Sequence, residues 1–259
     1  MVEHRGPRTG RRLWVLCCAI LLVAPLLLCF AFVSGALARM RAEQLWREIQ
    51  TLNLETSTLK DVQKLTERYG GEHKVTGTLR QRDAFACTSP HCEYLVIVQH
   101  WYGDRLAYAN PCSTFHRWIL RPLNVSGLRP WQLAIQLNVD EGRLSGMYSS
   151  LAIRREDGFR LIALTGVDTK MADRAKTASY FVDYTRVSTT GNGEGLEATV
   201  TPAATKEQFR RAYDLRFNCL TKTKACSRLS DLMPSAWGDF VESQRSGRMR
   251  TSGGPWDCK

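Results

Sequence analysis

The stretch "WQLAIQLNV", residues 131–139, decides the fold. Its apolar set Trp131, Leu133, Ile135, Leu137 and Val139 alternates strictly with Gln132, Ala134, Gln136 and Asn138. A period of two is the signature of a half-buried β-strand, because successive side chains point to opposite faces of a sheet. Asp140-Glu141-Gly142 then turns the chain, residues 143–154 return, and Glu156-Asp157-Gly158 turns it again into "FRLIALTG" (159–166). The three segments predict an antiparallel meander.

Further strands are predicted on either side. "EYLVIVQHW" (93–101) is a continuous apolar run, predicted to be buried on both faces. "ASYFVDYTRV" (178–187) and "GLEATVTP" (195–202) follow, with the glycine-rich "GNGEG" (191–195) between them reading as a hairpin or mobile loop rather than a phosphate cradle.

Helices flank the strands. Thr58-Leu59-Lys60-Asp61 has the form of a capping box, Leu59, Val62, Leu65 and Tyr69 make one apolar stripe, and Gly70-Gly71 supplies a stop. A second box, Thr205-Lys206-Glu207-Gln208, opens a helix carrying Phe209, Ala212, Tyr213 and Phe217 and ending near Cys219. Beyond it, Leu229, Leu232, Met233, Trp237 and Phe240 fall on a short amphipathic element interrupted at Pro234. The fold class is α+β, a mostly antiparallel sheet with helices on one face.

The N-terminus has a different character. No charged residue occurs from Leu13 to Ala38, which as a helix is roughly 39 Å long against a hydrocarbon core of about 30 Å. That length exceeds the apolar region of a cleavable signal, although Ala36-Leu37-Ala38 has the form of a cleavage site. The segment is therefore read as a retained transmembrane anchor. Leu28 before Cys29 argues against lipoprotein processing, and Arg11-Arg12 fits the positive-inside rule without invoking twin-arginine export. The resulting organisation is a cytoplasmic N-terminus (1–12), the span (13–38), a juxtamembrane helix (39–57) in which Leu45, Ile49 and Leu52 share a face, and an extracytoplasmic α+β domain (58–259).

Cysteine placement supports that orientation. Cys17, Cys18 and Cys29 lie in the apolar segment, and six remain: Cys87, Cys92, Cys112, Cys219, Cys226 and Cys258. An even number in a polar domain suits disulfides in an oxidising compartment. Short loops predict Cys87–Cys92 and Cys219–Cys226, which leaves Cys112 to Cys258. That last bond closes the longest loop and is worth about 4–5 kcal/mol in the chain-entropy model. The alternative for "CTSPHC" (87–92) is zinc held with a nearby histidine, at the loose end of structural spacing; disulfides are preferred, and no metal or cofactor is expected.

Residues 39–259 hold 32 basic and 24 acidic side chains, a formal balance of +8. The arginines are scattered, so the charge reads first as a solvated surface and second as attraction to anionic lipid or an anionic envelope polymer. No nucleic-acid partner is expected. Nucleophile-elbow and redox Cys-x-x-Cys motifs are absent from the sequence, and the four histidines after the anchor, His73, His91, His100 and His116, occupy one stretch.

The order "STLKDVQKL" (57–65), Cys87-x4-Cys92 followed by the aromatic strand, and the terminal "CLTKTKAC" (219–226) with "LMPSAW" (232–237) resembles a set of uncharacterised bacterial single-pass or secreted proteins. The resemblance spans most of residues 50–240. It implies an envelope location and an α+β fold, and no activity. Two functions remain open: a membrane-tethered binding or scaffolding module with an envelope protein or polymer as partner, and an envelope hydrolase whose site is not visible in sequence.

Overall fold

In a computed structural model, the described residues are 8–54, 56–74, 80–81, 90–100, 129–154, 160–168, 179–187, 193–221 and 226–246. Eight strands form one sheet: β1 (Glu72–Lys74), β2 (Arg80–Gln81), β3 (His91–Gln99), β4 (Trp131–Asp140), β5 (Arg143–Arg154), β6 (Arg160–Asp168), β7 (Tyr180–Val187) and β8 (Gly193–Val200). Their spatial order is β2-β1-β3-β4-β5-β6-β8-β7. Every pairing is antiparallel except β6 with β8.

The meander β4-β5-β6 is the centre of the sheet, as the alternation of 131–139 predicts. The β4–β5 connection places Glu141 and Gly142 at φ 52° and 79°, the paired left-handed conformation that a two-residue hairpin requires. A register shift between Asn138 and Val139 marks a bulge just before this turn. On one face Trp131, Leu133, Ile135, Leu137 and Val139 are all buried, while the intervening residues are half-buried.

One expectation for β3 fails. Cys92, Tyr94, Val96 and Val98 are buried, but Glu93, Leu95, Ile97 and Gln99 are only half-buried. The strand pairs with β4 along its whole length and therefore shares that strand's two faces, so its apolar run does not indicate helices on both sides.

Among the described residues the helices are α1 (Arg8–Ile49), α2 (Leu59–Tyr69), α3 (Lys206–Ala212), α4 (Leu229–Leu232) and α5 (Pro234–Arg245), with a 3₁₀ turn at Asn218–Thr221. Their apolar residues Leu45, Ile49, Val62, Leu65, Ala212, Leu232, Ala236 and Phe240 join those of the buried sheet face in one core. Both predicted boxes form in part or whole. Asp61 Oδ2 accepts from the Thr58 backbone N–H at 2.8 Å, and Thr205 and Gln208 bond reciprocally at 3.2 and 2.8 Å. The helix opened by Thr205 stops at Ala212, earlier than the periodicity suggests, because the Arg216 N–H bonds the carbonyl of Leu232 instead of continuing the helix. Pro234 sits at the first turn of α5, where its missing N–H costs nothing.

The span predicted at 13–38 and the first part of the juxtamembrane helix predicted at 39–57 are a single helix of 42 residues, α1, which ends at Ile49, short of the predicted end and before Leu52. Among the described residues no helix is long and apolar enough to cross a membrane; side chains 8–22, 24, 27 and 28 of α1 lie outside the described set. The C-terminal turns of α1 belong to the core. Ala42, Leu45, Trp46 and Ile49 are buried, and the Trp46 ring stacks on Tyr213 at 5.4 Å and meets Phe217 at 5.9 Å. Its indole N–H donates to the Tyr213 carbonyl at 3.3 Å. Further up the helix, a Cβ on Gly35 would lie 3.0 Å from Nε2 of the buried His100, so the domain reaches α1 as far as this glycine. Arg39 Nη1 donates to Thr221 at 2.7 Å, and Arg41 to the Tyr69 carbonyl at 3.0 Å.

Trp46→Ala removes a large buried ring that joins α1 to the C-terminal segment, and should destabilise the domain by about 3–5 kcal/mol in urea denaturation followed by circular dichroism. Trp46→Phe, which keeps one aromatic ring against Tyr213 and loses the N–H and part of the ring volume, should cost clearly less than Trp46→Ala. Equal losses for both variants would refute the packing account.

Candidate functional site

Because β3 to β6 are half-buried on the side away from the helices, their alternate residues align in cross-strand rows. Leu95, Gln136, Tyr148 and Gly166 occupy one row, and Ile97, Ala134, Ser150 and Leu164 the next. From these rows Leu95, Gln136, Tyr148, Ala134, Ser150 and Leu164, together with Asn138 and Ser149, line a depression of about 520 Å³. Small side chains make its floor at Ala134 and Ser150. Tyr148 makes a wall: a Cβ on Gly166 would come within 2.7 Å of Tyr148 Cδ1, so the ring lies directly over the glycine. Gln136 Nε2 donates to Asn138 Oδ1 at 3.2 Å, which orients both carboxamides on one side.

Among the described residues the lining is neutral and hydrogen-bonding, with no Lys or Arg in it. The positive balance of the domain is thus not collected here. Acidic groups stand farther along the same face. Ser150 and Leu164 lead across the sheet to Glu197 and Asp183, which are cross-strand partners. Burial, and then the Asp183 charge, push the Glu197 carboxyl above its ordinary value.

The other chemical groups lie elsewhere. His91 Nδ1 is 2.6 Å from Asp140 Oδ1, a pairing set by the β3–β4 register, with the His91 side chain largely exposed at the sheet rim. Its neighbour Cys92 is disulfide-bonded and so is not a thiolate nucleophile or zinc ligand. His100 is buried beside α1, and desolvation lowers its pKa. Among the described residues no group of three or more His, Cys, Asp or Glu side chains could hold a metal.

Of the six cysteines proposed for disulfides, Cys219 and Cys226 are bonded to each other with Cα atoms 5.2 Å apart, as their spacing predicts. The partner of Cys92 lies outside the described residues, as do Cys87, Cys112 and Cys258 and hence the proposed Cys87–Cys92 and Cys112–Cys258 bonds. Cys29 is a free, exposed thiol on α1.

The depression was not singled out from the sequence. A signal was present: the outward set of β4 is Gln132, Ala134, Gln136 and Asn138, with the one charged residue, Asp140, at the end of the strand. The fold and this face together define a class, an α+β domain with a helix-covered sheet face, a neutral depression on the reverse and a long helical extension. No family model, curated protein or solved structure matches the chain.

Two measurements check this geometry. Gly166→Ala should displace Tyr148 and cost about 1–3 kcal/mol, while Gly142→Ala should cost less and act only through backbone conformation; a neutral Gly166→Ala would show that the ring does not lie there. Since the folded-state pKa of Glu197 is raised, the stability it lends is complete at low pH and is lost as pH rises through the folded value. Glu197→Gln should therefore be more stable than the parent at pH 7, with the difference disappearing below about pH 4. A difference that persists or grows in acid would contradict the assignment.

Proposed function

We propose that the chain is a membrane-anchored extracytoplasmic module of the cell envelope that binds or scaffolds a partner through the depression on its sheet, and is not itself catalytic. The observation that carries this reading is the lining: Gln136, Asn138, Tyr148 and Ser150 converge around a concave surface with apolar Leu95 and Leu164 at its sides. Such a surface offers placed hydrogen bonds with little desolvation cost, which suits binding. The neutral lining favours an uncharged segment of an envelope protein over an anionic polymer. Attraction to a polymer or to anionic headgroups falls instead to the scattered basic surface.

The anchor reading draws on α1. Its uncharged stretch Leu13–Ala38 lies within one continuous helix that includes Pro25, and proline inside a helix is tolerated in membranes when neighbouring groups satisfy the freed carbonyl. The outward orientation draws on the bonded Cys92, Cys219 and Cys226, since disulfides persist in oxidising compartments.

Membranes washed with carbonate should retain the full chain, and recovery in the supernatant would overturn the anchor. For the binding surface, a photo-cross-linking residue at Ser150 should yield a discrete adduct in intact cells. The adduct should be lost when Ala134→Trp fills the depression, and none should form from Arg210 on the exposed face of α3. An adduct unaffected by Ala134→Trp would move the binding surface elsewhere.

A further inference from the structure

The depression continues into a charged corner of the same sheet face. Leu164, on its wall, is the cross-strand neighbour of Glu197, and Glu197 lies opposite Asp183 of the edge strand β7. Val182, Leu196 and Ala198 beside them are buried in the core, so alternation directs both carboxylates to the face that carries the depression. Phe181 precedes Asp183 by two residues and stands on that face too, 45% exposed. At about 4.8 Å per strand, Glu197 lies one strand beyond Leu164 and two beyond Ser150, roughly 10 Å from the floor.

Like charges directly opposite each other destabilise a strand pair, and burial adds to the strain on Glu197, whose carboxyl is held above its ordinary value. The domain has ample means to neutralise the pair, since residues 39–259 hold 32 Lys and Arg. Glu48, Glu207 and Asp239 each hold an arginine. Among the described residues, Asp183 and Glu197 form no hydrogen bond or ion pair of their own. Two uncompensated carboxylates beside an exposed aromatic ring are complementary to a cation: the oxygens accept its donors and the ring face its flat side.

Resting on the reading of the depression as a binding surface, we propose that the partner segment seated there presents an arginine side chain to Asp183 and Glu197 beside Phe181. Arginine fits because its planar guanidinium forks to carboxylates and stacks on aromatic faces, whereas the lysine ammonium carries the charge without the flat fork. The neutral floor receives the uncharged part of the same segment. An extended chain advances about 3.3 Å per residue, so the arginine stands about three residues from the one over Ser150. A divalent metal is a poorer occupant, because two carboxylates leave most of its six or more oxygen positions unfilled, and among the described residues no third His, Cys, Asp or Glu joins them. Among the described residues β7 pairs only with β8, so a partner reaches this corner from the sheet edge without displacing a strand.

In the full chain in intact cells, the photo-cross-linker at Ser150 reads the depression, and substitutions beyond it read the cation seat. Asp183→Asn combined with Glu197→Gln should lower the Ser150 adduct several-fold, and Phe181→Ala should lower it less. The neutral pair removes a repulsion, so it should fold at least as well as the parent and keep the Cys219–Cys226 bond; a lost adduct is then not a lost fold. Mass spectrometry of the parent adduct should find an arginine within about four residues of the linked position. An undiminished adduct from the neutral pair, or a linked segment with no arginine nearby, would overturn the cation seat and leave the depression as a binding surface. No adduct from the parent would overturn the depression and the seat with it. Calcium binding to the purified full chain that Asp183→Asn abolishes would make the corner a metal site and contradict the proposal.

Discussion

The structure depends on the insertion of Trp46 between Tyr213 and Phe217. This one ring brings the C-terminal turns of α1 against a segment more than 160 residues later, and the Tyr213 carbonyl holds its indole N–H. Around it, Leu45 and Ile49 enter the core that the sheet and α2 share. A helix that is part of a core cannot pivot relative to its domain without exposing that core to water. The C-terminal turns of α1 are therefore fixed to the domain.

Charged and polar contacts reinforce the same joint. Arg41 reaches the carbonyl of Tyr69 and lies over its ring at 5.8 Å. Glu48 accepts from both Arg68 and the Tyr69 hydroxyl, and burial with this neighbour raises the Tyr69 pKa to about 12. The partly exposed Glu48–Arg68 pair contributes little by itself; its place is to orient α2 against α1. At the opposite end of the sheet Asp239 of α5 gathers the Arg211 guanidinium and the Tyr180 hydroxyl, tying α3, α5 and β7 together. Helices thus cover one sheet face from both ends, and the reverse face retains its neutral depression.

Much of this is written in local pattern. The alternation of 131–139, the turn at Glu141-Gly142 and the two Thr-led helix starts all encode their elements through short-range chemistry, and the structure has each of them. Residues 93–99 show where local pattern stops. A run of apolar side chains fixes a strand but not the number of faces it buries, which depends on distant elements. The joining of the predicted span to the juxtamembrane helix was similarly invisible, because Arg39 and Arg41 suggest a boundary by charge while the backbone continues through them. The depression escapes sequence reading for a related reason: Leu95, Gln136, Tyr148 and Leu164 come from four strands, and only the register brings them together. The Cys219–Cys226 bond was legible because its loop is short, whereas a pairing across distant residues is a property of the whole fold.

The central claim of the proposed function is that α1, whose C-terminal turns lie in the domain core, also anchors the chain in a membrane. N-terminal sequencing of the mature protein recovered from membranes tests it most directly. The account predicts a sequence that begins within residues 1–12, with the whole of Leu13–Ala38 retained. A mature chain beginning at Arg39 would keep Trp46 and the core, remove the anchor, and contradict the account.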